Sequence, residues 1–159
     1  MAHLVVTSEA VFDAAPERVW PALIDEMSGA THWWRPYWEA RPRRGGRVDQ
    51  IGAEIDITVH PRGAPSQPVL RCAFRTLVVD PARRLHGAYI DGAFRGEDTW
   101  SLEPHGTGTR VVERFDTRTH GVFPTVLGML GDMRAGHANV MREGFERLAR
   151  WLAEHPGTR

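Results

Sequence analysis

Among the residues able to move protons, His137 stands out because it lies in the middle of an apolar stripe. Met133, His137, Val140, Met141, Gly144, Leu148, Trp151 and Leu152 recur at the spacing of a single helix face. An imidazole in that stripe points inward, where it can orient or protonate a bound carbonyl or phenol. A core histidine satisfied by a strand carbonyl or a carboxylate is the competing reading. The expected partner is Glu113. If Val111 and Phe115 face inward by strand alternation, Glu113 does too, and a buried carboxylate there needs a donor. The opposite register buries Arg114 and Asp116 instead. Tyr89 shares parity with Asp91, and Asp98 with Trp100 and Leu102, so all can reach the same interior. Both aspartates nevertheless read as lying near strand ends, where solvated carboxylates are common.

The walls of such a site are legible as well. Trp33, Trp34 and Trp38 are expected to bracket a pocket mouth, with Trp38 stacking on the ligand. Phe74, Trp100, Met133 and Met141 shape the apolar pocket, Asp98 reaches it, and Met129 lies on the same side. Gly136 and Gly144 thin the helix, either to make space or to bring helix and sheet close together. The opposite helix face carries Asp132, Asn139, Arg142, Glu143, Glu146 and Arg150. Segment 116–123, with His120 and Gly121, reads as a lid or a surface loop.

Several other chemistries are disfavoured. The chain has one cysteine, Cys72, so an internal disulfide or a thiolate zinc cluster is excluded. It has no lysine, which removes Schiff-base and phosphate-loop lysines. The eight histidines never fall at helical pair spacing, and no metal site is expected. No nucleophile elbow accompanies the serines, and the turn Gly106–Thr109 lacks the following helix of a dinucleotide fingerprint. Twenty basic residues balance twenty acidic ones, so no net field favours nucleic acid. The cluster Arg35, Arg41, Arg43, Arg44 and Arg47 reads as a solvated surface, with a patch for a phosphopantetheine-bearing carrier protein or RNA as the alternative.

The elements that must position these residues follow from the pattern. Residues 4–13 alternate as a strand, and Ala14-Ala15-Pro16-Glu17 opens a helix carrying Val19, Trp20, Leu23 and Ile24. From Trp38 to Phe115, five turn signals separate β-rich runs: 44–46, 61–65, 80–81, 91–92 and 105–108. After Phe123-Pro124 comes a long amphipathic helix, whose apolar face needs the inner face of the sheet. With 159 residues and 42% hydrophobic content, residues 1–159 are expected to form one α+β domain. The expected architecture is a helix-grip fold: a curved antiparallel sheet of about seven strands around a long C-terminal helix, with two short helices after the first strand. No stretch is long and apolar enough to span a bilayer, residues 1–10 lack signal-peptide regions, and a cytoplasmic location is expected.

Five segments carry a resemblance: Ala15-Pro16-Glu17-Arg18-Val19-Trp20, Trp34-Arg35-Pro36, Asp80-Pro81-Ala82-Arg83-Arg84-Leu85, the run from Gly96 to Pro104, and Gly108-Thr109-Arg110-Val111. In this order they resemble the START-related SRPBCC (Bet v 1-like) superfamily, and more narrowly its bacterial polyketide cyclase/dehydrase-like branch, from Val6 to about Ala153. The Trp34-x-Pro36 pattern is similar to a packing feature of that family. The resemblance implies an internal cavity for a hydrophobic, aromatic or polyketide-like ligand, with cyclisation or dehydration assisted by positioning and acid–base help. On that reading His137 is the acid or base, Glu113 orients it and Tyr89 hydrogen-bonds an oxygen. The alternative is a non-catalytic carrier or sensor for a lipid, isoprenoid or quinone. No cofactor is implied. An acyl carrier protein is a candidate partner, and the protein is expected as a monomer or homodimer.

Overall fold

The computed structural model describes residues 3–121 and 130–157, with side chains of the long helix described from Met133. The chain opens with β1 (His3–Phe12) and α1 (Pro16–Met27). The strands β2 (Trp38–Arg44), β3 (Glu54–Val59), β4 (Leu70–Asp80), β5 (Arg84–Gly92), β6 (Phe94–His105) and β7 (Gly108–Thr119) follow. The last element is α2 (Leu130–Glu154). The anticipated turn signals mark the junctions between successive strands from β2 to β7, because Gly, Pro and Asp supply the backbone angles that reverse a chain. Phe123, Pro124, Gly128 and Met129 lie outside the described residues.

All seven strands form one antiparallel sheet in the order β1-β7-β6-β5-β4-β3-β2. The first strand closes onto the last, with Val6 opposite Phe115 and Ser8 opposite Glu113. Alternation decides the inner face. On β7, Val111, Glu113, Phe115, Thr117 and Thr119 are buried, which settles the register in favour of Glu113 and leaves Arg114 exposed. On β3 and β4, Ile55, Ile57, Leu70, Cys72 and Phe74 face the same interior. The helix α2 lays Val140, Met141, Leu148 and Leu152 on it, each burial contributing about 1.5–3 kcal/mol. Pro16 starts α1 where its missing N–H costs nothing, and Val19, Trp20, Leu23 and Ile24 are its buried face.

Two expectations are corrected. Residues 33–37 form a run of turns where a second short helix was expected, because Pro36 and the aromatic run leave no amphipathic helical face. Within the segment read as a lid, residues 116–119 belong to β7, and His120 N–H donates to Ala93 O at 2.8 Å. Most of the arginine cluster is spent locally: Arg35 on Glu39, Arg43 on Asp91, and Arg47 on Asp25 and Asp49.

Candidate functional site

Four neighbouring elements bring four proton-bearing side chains to one end of a cavity. Tyr89 comes from β5, Asp98 from β6, Glu113 from β7 and His137 from α2. The strand register aligns them, with Tyr89 opposite Gly96, Asp98 opposite Phe115 and Trp100 opposite Glu113. Asp98 and Glu113 therefore sit diagonally on one face of adjacent strands. Tyr89 O–H donates to Asp98 Oδ2 at 2.9 Å. Asp98 and Glu113, diagonal neighbours on one buried face, act on each other strongly enough that two negative charges there are disfavoured and at least one of the two carboxyl groups keeps its proton. Glu113 Oε2 lies 3.1 Å from His137 Nε2, and the Phe115 ring stacks on the imidazole with centroids 4.3 Å apart.

Burial governs the charge of this set. Asp98 is 6% exposed and Glu113 is 1% exposed. Loss of solvent pushes Glu113 up to about 8, against a weaker opposing effect of Asp98. Loss of solvent, then the neighbouring Glu113 charge, holds Asp98 well above the usual carboxylate range. The same loss of solvent pushes His137 down to about 4. An imidazolium–carboxylate pair would fit the 3.1 Å separation equally well, but burial raises the acid and lowers the base. Burial thus favours a hydrogen bond between neutral groups over an ion pair. Tyr89 is likewise held above its ordinary range by burial and then by Asp98.

The cavity has a volume of about 330 Å³. Trp34, Trp38, Phe74, Trp100, Met133 and Met141 line it, together with Ile55, Ile57, Leu70, Cys72 and Phe94. Burial in that apolar wall pushes the Cys72 thiol up to about 12, so it acts as a small hydrophobe. Asp98 is mid-strand and buried, not at a solvated strand end, whereas Asp91 is exposed and paired with Arg43. Trp34 and Trp38 are inner wall and not mouth, at 3% and 8% exposure, and Trp33 stacks on Trp34 from outside the cavity. Gly144 does not line the cavity: an added Cβ would stand 2.3 Å from the Trp34 indole, so the missing side chain makes room for a tryptophan.

Sequence reasoning missed two parts of the site. The exposed rim is formed by Pro61, Arg62 and Pro68 of the β3–β4 connection, facing Ala135, Gly136 and Asn139 of α2. Asn139, assigned to the solvent face, donates to Pro61 O at 2.9 Å and helps close this rim. The proline-rich signal marked the turn, and nothing in it showed which element the loop would meet. The second missed residue is Glu26, which is 1% exposed and accepts from Thr31 Oγ1 at 2.7 Å, Trp33 N at 3.0 Å and Trp34 N at 2.9 Å. It fixes the start of the tryptophan run, and Trp34 Nε1 then donates to Val140 O at 2.9 Å. Trp34 is thus a strut between the loop and the helix that carries His137.

The sequence matches the family described as polyketide cyclase/dehydrase and lipid transport over residues 3–153. The chain belongs to that family. No curated protein matches the sequence. Among solved structures, the Zhui aromatase/cyclase from Streptomyces sp. R1128 is similar in fold, with a TM-score of 0.70 at 16% identity, covering 99% of this chain and 98% of that one. The protein TTHA0849 from Thermus thermophilus gives a TM-score of 0.68 at 20% identity, covering 93% and 99%. A START superfamily protein from Mycobacterium smegmatis gives 0.67 at 14% identity, covering 96% and 99%. At these identities the likeness establishes a shared START-like, helix-grip fold. Family membership and the apolar cavity together support a hydrophobic ligand-binding role. Among the described residues, no group of three side chains is placed to hold a metal ion, and no helix is long and apolar enough to cross a membrane.

Proposed function

We propose that the protein binds a small aromatic or polyketide-like molecule in this cavity and assists its cyclisation or dehydration. The observation that carries the reading is one cluster of four proton-bearing side chains at the end of an otherwise apolar chamber, with Tyr89 bonded to Asp98, Glu113 to His137, and the two carboxyl groups diagonal on one strand face. A pure lipid carrier needs a greasy pocket and one polar anchor. Four coupled proton-bearing groups are more than an anchor requires.

The chemistry suits the walls. A flexible poly-β-ketone has many folded forms, and a chamber lined by Trp34, Trp38, Phe74 and Trp100 selects few of them, holding an enol carbon against a carbonyl. A carbon–carbon bond then forms, the enol O–H proton is released as its carbonyl reforms, and the attacked carbonyl oxygen takes up a proton. His137 is the proton-transfer group at the reacting oxygen, and Glu113 sets its orientation. Loss of water from the resulting alcohol completes aromatisation.

The test is the rate at which a linear poly-β-ketothioester gains an aromatic chromophore. The proposal expects a rate above the spontaneous one, lowered about 100-fold or more in His137→Ala, well beyond the loss of ligand affinity in that variant. Saturable binding of the substrate with no acceleration would leave the carrier reading in its place.

A further inference from the structure

We infer that Tyr89, Asp98, Glu113 and His137 form a one-way chain of donors that fixes His137 with its proton on Nδ1, making it an acid towards a ligand carbonyl. This deepens the reading above and rests on the same site.

The direction follows from counting donors. Tyr89 O–H is spent on Asp98 Oδ2. No described group donates to Asp98 Oδ1, although Asp98 is almost wholly buried. A buried carboxylate oxygen without a donor is costly, whereas a carboxylic acid uses one oxygen to donate. A proton on Asp98 Oδ1 satisfies that atom by pointing it as a donor at Glu113, its diagonal neighbour on the same buried face. Glu113 in turn places its own proton on Oε2, towards His137 Nε2 at 3.1 Å. With Nε2 accepting, a neutral imidazole keeps its hydrogen on Nδ1.

The reverse direction would have Nε2–H donate to Glu113, Glu113 donate to Asp98, and Asp98 carry a full negative charge. No described cation supports that charge. The arginine lining the cavity is Arg62, which is exposed at the rim, and the chain has no lysine. The uncharged arrangement is therefore the one that burial favours.

The chain has a chemical consequence. When Nδ1–H is given to a carbonyl oxygen, the Glu113 proton moves to Nε2 and the Asp98 proton moves to Glu113. The carbonyl oxygen has gained a proton, and the negative charge has arrived on Asp98, where Tyr89 O–H already donates to it. Return of a proton from solvent restores the set. Asp98 and Tyr89 are in this sense positioning residues: they act through Glu113 and His137. The ligand class is one that presents a hydrogen-bond acceptor, a ketone or quinone oxygen, to His137.

The test is nitrogen-15 NMR of histidine-labelled protein at pH 7 without any ligand, with His137 assigned by comparison with His137→Asn. The expected result is a neutral ring with Nδ1 protonated and a hydrogen-bonded, unprotonated Nε2. In Glu113→Ala the ring should revert to the commoner Nε2–H form, while Glu113→Gln, whose amide N–H can still donate to Nε2, should retain Nδ1–H. A wild-type ring protonated on Nε2, or on both nitrogens, overturns the proposal. So does an unchanged Nδ1–H ring in a folded Glu113→Ala. Because no substrate is involved, either failure is separate from failure of the cyclisation assay.

Discussion

His137 and Glu113 are separated by 24 positions in sequence, on the last helix and the last strand, yet their Nε2 and Oε2 atoms meet at 3.1 Å. Both belong to faces set by simple periodicity: the helical stripe from Met133 to Leu152 and the odd residues of β7. Packing one face on the other buries a polar pair in an apolar core, so each member has to satisfy the other.

That burial gives stability a pH dependence with a definite sign. Glu113 ionises at about 8 in the folded chain against 4.5 when unfolded, so the folded state binds more protons between these values and stability is lost as pH rises. Asp98 is shifted in the same direction. His137, lowered to about 4 from 6.5, acts oppositely, but only up to pH 6.5. Melting temperature should therefore fall between pH 6.5 and 8, with a slope of about 1.4 kcal/mol per pH unit for each proton involved. Glu113→Gln should flatten this fall, as thermal unfolding over a pH series would show.

Gly144→Ala tests the fit of the tryptophan strut. Alanine gains about 1 kcal/mol in helix propensity, but its Cβ would stand 2.3 Å from the Trp34 ring, and such overpacking costs about 1–3 kcal/mol. The clash should win by about 1 kcal/mol in urea unfolding, with a changed tryptophan emission as Trp34 moves.

Glu26→Ala removes the acceptor for Thr31 Oγ1 and for the backbone N–H groups of Trp33 and Trp34. Leaving these groups without an acceptor should cost about 2–4 kcal/mol in denaturant unfolding. Ligand affinity should fall as well, since Trp34 is part of the cavity wall.

Cys72 offers a probe of cavity access. Its thiol is buried and pushed up to about 12, so a charged disulfide reagent should label it only on unfolding. Rapid labelling of the native protein at pH 8 would show that the wall opens on its own.

The fold was legible because its signals are local. Turn residues punctuate every junction from β2 to β7, and alternation on β7 left two registers, of which the apolar Val111 and Phe115 favoured the one with Glu113 inside and the folded strand decided it. The rim at Pro61, Arg62 and Asn139 was not legible, since it depends on where a loop lands on a distant helix. Asp98 reads as a strand-end carboxylate because sequence shows neither the length of β6 nor its partner strands. Gly144 looks like a space-maker until the ring that fills the space, 110 positions earlier, is known. Glu26 carried no signal at all: an acid on an amphipathic helix resembles any solvated one.

The central claim is that an aromatic carbonyl compound occupies the cavity against His137. Trp34, Trp38 and Trp100 line that cavity, so tryptophan fluorescence titrated with a tricyclic aromatic ketone reads its occupancy directly. The account predicts saturable, one-to-one quenching, with affinity lowered about tenfold in His137→Ala through loss of the donor at the ligand oxygen. Absence of saturable quenching, or equal affinity in the variant, would contradict it.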